Sequence, residues 1–173
     1  MADTWVARQG AAAHASGKSM IDVFNATGSA RIVRGYLFYL FNSGTTAVTG
    51  VLTGFAIRRT TAASAGTPVT PVAFDTTSTA LDANTTAGTG RTVTASATFR
   101  SFLFCNEEPT TTGAGYNNLL LMVPFAEWGR YGVDNSNLDP IVCRAVQGMD
   151  IAQTGTSAVG SADAEIIFTS LAS

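Results

Sequence analysis

The 173-residue chain contains one histidine, His14, and two cysteines, Cys105 and Cys143. With no second histidine there is no His-Glu-x-x-His zinc helix, and no Gly-x-Ser-x-Gly elbow is present to build a Ser-His-Asp relay. His14 stands in a run of Ala and Gly and reads as an exposed, idle side chain. The carboxylates offer little more. Glu107 and Glu108 are adjacent, so in a strand they face opposite ways, and ahead of Pro109 they read as a solvated turn. Asp134, Asn135, Asn137 and Asp139 offer oxygens at spacings that suit Ca²⁺, but the run lacks the glycine and terminal glutamate of an EF-hand and reads as ordinary Asx turns. Gly88-Thr89-Gly90 and Gly113-Ala114-Gly115 are not followed by the Gly-Lys-Ser/Thr that opens a phosphate-loop helix. The cysteines lack the paired spacing of a zinc site and read as reduced core thiols. These polar groups imply no enzymatic activity, no metal and no cofactor.

The remaining chemistry is that of contact. Arg31–Asn42 (RIVRGYLFYLFN) is the densest block of aromatic and branched residues. From Tyr36 onward both alternating sets are apolar, with Tyr36, Phe38 and Leu40 on one face and Leu37, Tyr39 and Phe41 on the other. A strand with one wet face alternates apolar and polar, so this one needs cover on both sides. Either a neighbouring subunit or another part of the same chain supplies the second cover. Arg34 shares the alternating face of Tyr36 and Phe38, and there it should pair with a carboxylate or stack on an aromatic ring. Glu127-Trp128 with Arg130-Tyr131 suits a sugar-stacking platform, a subunit anchor or a plug under a loop. Candidate interface residues are Trp5, Arg8, Arg34, Tyr36, Phe38, Tyr39, Trp128 and Tyr131.

Composition narrows the class of partner. Charged residues are 13% of the chain, against about 25% in an average soluble domain. The net charge is −2, with nine Arg and one Lys, so there is no basic stripe and nucleic-acid binding by counterion release is not expected. Arginine in preference to lysine suits fixed pairing at protein interfaces. No secretory segment is visible at the start, and no apolar run approaches the ~18 residues of a membrane span.

The elements are short and β-like. Thr4–Gln9 followed by Gly10–Lys18 looks either like an N-terminal arm (residues 1–18) lying on another surface, or like a first strand closing the chain's own sheet. Residues 19–173 then form one domain. Ser19–Asn25 alternates as a strand, and Val51–Thr60 turns Val51, Thr53, Phe55 and Ile57 one way and is expected to pair with the central block. Arg58 and Arg59 read as a solvated strand end. Pro68–Asp75 has two prolines and belongs at an edge, while Thr76–Gly90 is so rich in Thr, Ala and Gly that it reads as a long exposed loop. Arg91–Cys105 holds one bent strand or two, and Tyr116–Phe125 is again strongly apolar. Pro140–Val146, a Gln147-Gly148 turn, Met149–Thr154 and Ala162–Phe168 complete the series, the last with Ala162, Ala164, Ile166 and Phe168 on one face. Nine or ten short strands without an amphipathic helix mean an all-β antiparallel sandwich or barrel.

The run NATGSARIVRGYLFYLFNSGTTAVTGVLTGFAIRRTTAASAGTPVTPVAFDT, the LDPIVCRAVQGMDI turn and the terminal AEIIFT strand together resemble the small β-sandwich head decoration, or cement, proteins of tailed bacteriophages. The resemblance spans about Ile21 to Thr169 and lies in the style and order of segments. It implies a jelly-roll protomer that forms a homo-oligomer, trimer or dimer, made in the bacterial cytoplasm and seated on the capsid exterior over junctions between major capsid proteins. It also implies no enzymatic activity and no cofactor. A jelly-roll carbohydrate- or receptor-binding module using Tyr116, Trp128 and Tyr131, and a self-assembling fibre or shell subunit, are the competing expectations.

Overall fold

The computed structural model describes residues 3–42, 51–106, 139–156 and 160–172. They form eleven strands: β1 (Asp3–Ala13), β2 (Ser19–Asn25), β3 (Arg31–Asn42), β4 (Val51–Ser64), β5 (Thr67–Val69), β6 (Val72–Ala73), β7 (Thr85–Thr89), β8 (Thr92–Asn106), β9 (Ile141–Cys143), β10 (Gln147–Gln153) and β11 (Ser161–Ala172). No helix occurs among the described residues. One sheet has the order β6-β1-β11-β3-β9 and the other β5-β7-β2-β10-β4-β8. All these strand pairs are antiparallel. From β1 to β4, and again from β8 to β11, successive strands alternate between the two sheets.

Alternating side chains seal the sandwich. β11 turns Ala162, Ala164, Ile166 and Phe168 inward, each with no exposed surface, as its sequence pattern requires. Val33, Phe38 and Leu40 of β3 lie beside them. From the facing sheet come Ile21 and Val23 of β2, Phe55 and Ile57 of β4, and Met149 and Ile151 of β10. Small residues such as Ala7, Ala162 and Ala164 leave room for the large ones opposite, which is how two sheets about 10 Å apart interdigitate.

Several sequence expectations are corrected. The stretch that suited an arm is a strand through Ala13, paired with β11 on one side and β6 on the other, and its Trp5 is in the core. The reason is register: Trp5 stands opposite Phe168 and Ala7 opposite Ile166, so the alternation of β1 matches that of β11. β4 pairs with β10 and β8 and not with the central block, whose two edges are taken by β11 and β9. Within the supposed loop 76–90, Thr85–Thr89 is β7, hydrogen-bonded to β2 and β5 with Thr85 and Ala87 buried. Its small residues pack under a guanidinium, since a Cβ at Gly88 would collide with Arg91. The turn before β10 falls at Arg144–Gln147, closed by the Gln147 N–H donating to the Arg144 carbonyl at 3.1 Å with Val146 at positive φ. Of the two prolines of Pro68–Asp75, Pro68 sits in the short outer strand β5 and Pro71 immediately precedes the short outer strand β6. β8 is one long strand with bulges against β4 that bend it.

Candidate functional site

The outer face of the five-stranded sheet is shaped by one bulge. Along β11, Ile167 stands opposite Leu37 but Phe168 stands opposite Gly35, so Tyr36 is an extra residue in β3. An inserted residue moves the following side chains to the other face. Val33, Gly35, Phe38 and Leu40 are consequently buried, while Ile32, Arg34, Leu37, Tyr39 and Phe41 lie half-buried on the outside. Gly35 is required at the bulge because a Cβ there would meet Met149 Sδ and, at 2.9 Å, Phe38 Cζ. Arg34 is therefore on the face opposite Phe38, contrary to the simple alternation.

Cross-strand pairing arranges this face in rows. Val72, Val6, Ile167 and Leu37 make one apolar row over four strands. Arg8, Glu165 and Tyr39 flank it on one side, and Thr4, Thr169 and Arg34 on the other. The Tyr39 and Phe41 rings stack, with centroids 5.6 Å apart and an interplanar angle of 18°. At one rim Val72 and Phe74 are each 62% exposed.

The charges on this face are incompletely matched. Arg8 reaches Asp163 at 3.4 Å from an exposed position, a contact of little energetic weight. Burial raises the Glu165 carboxyl above its ordinary value, opposed by the Arg8 charge. Arg34 is half-buried, and its Nε is buried with no hydrogen-bond partner. The expected carboxylate or ring contact of Arg34 is thus not made by that atom, although the side chain is not free in bulk solvent either.

Of the sequence candidates, Arg8, Arg34, Tyr36 and Tyr39 belong to this sheet surface or its bulge. Trp5 and Phe38 do not: at 8% and 2% exposure they are consumed by the protomer's own core and are not available to a partner. Trp128 and Tyr131 lie outside the described residues, as do Tyr116, the Glu107-Glu108 pair, Gly113–Gly115 and Asp134–Asn137. Leu37 was read as part of the apolar face needing cover; Val6, Ile167 and Val72 were missed, although the doublet Ile166-Ile167, apolar on both faces like the centre of β3, carries the same signal.

A second cluster, also missed, lies in the six-stranded sheet. Gly88, Asp22, Asp150 and Arg58 stand in one cross-strand row. Arg58 donates to Asp150 through Nε at 3.1 Å and Nη2 at 2.7 Å, and Arg91 Nη1 donates to Asp22 at 3.1 Å. Both carboxylates are buried. Burial pushes the Asp22 carboxyl up to about 7, with Arg91 opposing and Asp150 adding to the rise, and it raises Asp150 as well, against Arg58. Each acid is paired with its own guanidinium, which ties together the elements that carry them. Arg58 and Arg59 are accordingly not a solvated strand end. Arg59 lies over the Phe99 ring at 5.3 Å, a cation–π contact. The clue in the sequence was an Asp at the centre of two otherwise apolar strands, SMIDVFN and GMDIA.

His14 is likewise corrected: it is buried, with its ring edge-on to Phe55 at 5.5 Å and 68°, because the turn after β1 dips into the sandwich. Cys143 is a free thiol with no exposed surface, and burial pushes its pKa up to about 12. Among the described residues no group of three or more His, Cys, Asp or Glu side chains is placed to hold a metal ion. No protein-family model, curated protein or solved structure matches the chain.

Proposed function

We propose that this chain is a structural virion protein that binds the outside of a bacteriophage capsid and stabilises junctions between major capsid proteins. The observation that carries the proposal is surface fitted for protein contact at two places, the outer face of the five-stranded sheet, where an apolar row crosses four strands between Glu165 and Arg34, and the long outer strand β8. Apolar sheet surface with arginine and tyrosine at its margins is the composition of protein–protein contact.

The strand order supports the jelly-roll reading. Eight strands alternate between two sheets, the first lies beside the last, and the inner orders are β1-β11-β3-β9 and β2-β10-β4-β8. β8 adds a second contact surface. It is 15 residues long, whereas β5, β6 and β9, the other outermost strands, have three, two and three. Leu103 on β8 is 64% exposed. Among the described residues only Lys18 bridges to this edge, at Thr92, so most of its length is placed to pair with a neighbouring chain, moderated by its bulges. A protein spanning a capsid junction opposes outward pressure by burying such surfaces on both neighbours.

The test is co-sedimentation of the purified protein with phage capsids that lack it, followed by heating. Saturable binding and a higher rupture temperature are expected. Capsids that neither bind the protein nor gain heat resistance would contradict the proposal.

A further inference from the structure

We infer that the outer face of the five-stranded sheet is a two-fold self-interface, on which a second copy of this chain packs sheet to sheet with Arg34 of each copy meeting Tyr39 and Glu165 of the other. The inference deepens the contact-surface reading above by naming the partner at that face, and it leaves the β8 edge for capsid protein.

The pattern of residues is self-complementary about one line. The row Val72-Val6-Ile167-Leu37 runs across the sheet, with Arg8-Glu165-Tyr39 two residues to one side along the strands and Thr4-Thr169-Arg34 two residues to the other. A two-fold axis lying along the apolar row exchanges these flanks while keeping each strand over its own copy. The apolar row then packs on itself, and Tyr39 comes to lie over Arg34 of the partner subunit. Glu165, one strand along, becomes a diagonal neighbour of the same guanidinium, and the crossing of about 30° between packed sheets favours that diagonal. Because the contact is isologous, each such interaction occurs twice.

Three features of the protomer fit this occupant. Arg34 is half-buried with its Nε sealed inside the protomer and without a hydrogen-bond partner, so part of the cost of desolvating the guanidinium is already met before a second copy packs on it. Glu165 is partly desolvated and has only Arg8 to offset it, which a second guanidinium would correct. Glu165 lies on one flank and Arg34 on the other, so the exchange brings this unlike pair together, while Arg8, on the Glu165 flank, stays two strands away from the partner's guanidinium. Neighbouring strands about 4.8 Å apart and five outward positions along β11 give a face on the order of 600 Å² per copy. That meets the lower range of stable interfaces, roughly 1,200 Å² in total.

The experiment is a charge swap read by sedimentation equilibrium and native mass spectrometry on the whole chain, with circular dichroism and thermal melts as the check on folding. Wild type is expected as a dimer at micromolar concentration. R34E and E165R each set like charges against each other twice per interface and should raise the dimer dissociation constant at least ~100-fold. The double variant R34E/E165R restores opposite signs and should recover most of the dimer. L37R, which puts a charge on the axis itself, should also give monomer and serves if a flank variant fails to fold. A monomeric wild type, folded single variants that dimerise like wild type, or a folded double variant no better than the singles would each overturn the inference. Capsid co-sedimentation separates the two proposals: a monomer that still binds capsids removes the self-interface and keeps the capsid role, and a dimer that ignores capsids does the reverse.

Discussion

Leu37 and Phe38 are consecutive, similar in size and opposite in fate, and truncating each to alanine tests the bulge that separates them. Phe38 is 2% exposed among the inward residues of both sheets, and its ring lies against the position where Gly35 lacks a Cβ. Phe38→Ala removes a buried ring and leaves a cavity that the surrounding strands can close only in part, a change that costs about 3–5 kcal/mol. In a chain of this length each kcal/mol lowers the melting temperature by about 2–4 °C, so a drop of roughly 6–20 °C is expected. Leu37 is half-buried on the outer face, and Leu37→Ala should cost the isolated protomer about 1 kcal/mol or less. The assay is urea unfolding at a protein concentration low enough to keep the protomer unassociated, with circular dichroism as the readout. Equal losses at the two positions, or a larger loss at Leu37, would refute the assigned register and with it the outer face.

Three further outcomes follow from buried groups. The Asp22 carboxyl, pushed up to about 7 in the fold, titrates near 4 when unfolded, so its contribution to stability is fully present below about pH 4 and is lost as pH rises through about 7. Urea unfolding should show about 3 kcal/mol less stability at pH 8 than at pH 5 from this group, and Asp22→Asn should flatten that slope; a stability that rises over the same interval would contradict the desolvated site. Cys143, buried and with its pKa raised to about 12, should resist maleimide at pH 8 in a Cys105→Ser background until the chain is unfolded, and rapid labelling of the native protein would disprove its burial. Gly35→Ala forces a methyl group into Met149 and Phe38 and should destabilise by about 1–3 kcal/mol in the same urea assay, whereas a neutral result would show that the bulge is misplaced.

The sequence revealed elements more reliably than their partners. β11 could be read residue by residue because a strand with one buried face writes its period into the side chains, and Ala162, Ala164, Ile166 and Phe168 all face inward. β2 was bounded correctly as well, although it is buried on both faces. β3 was recognised as a strand apolar on both faces, yet its faces were exchanged at one end, because a bulge is a property of pairing with β11 and leaves no mark on hydrophobicity alone. β7 was hidden by its composition: Thr-Thr-Ala-Gly-Thr resembles a loop until the Arg91 side chain is laid over Gly88. His14 and Trp5 seemed accessible because their neighbours are small, and small neighbours are what let both side chains sink into the sandwich. The Asp22–Asp150 row was missed because neither acid lies near the other, or near its arginine, in sequence.

The account depends on the outer face of the five-stranded sheet being covered by protein in the working assembly. Carbene footprinting with residue-level mass spectrometry, comparing dilute protein with the protein in its assembled state on capsids, tests that most directly. Labelling at Val6, Leu37, Tyr39 and Ile167 should fall several-fold on assembly while the already buried Phe38 stays unlabelled in both. Unchanged labelling of those four residues in the assembled particle would contradict the account.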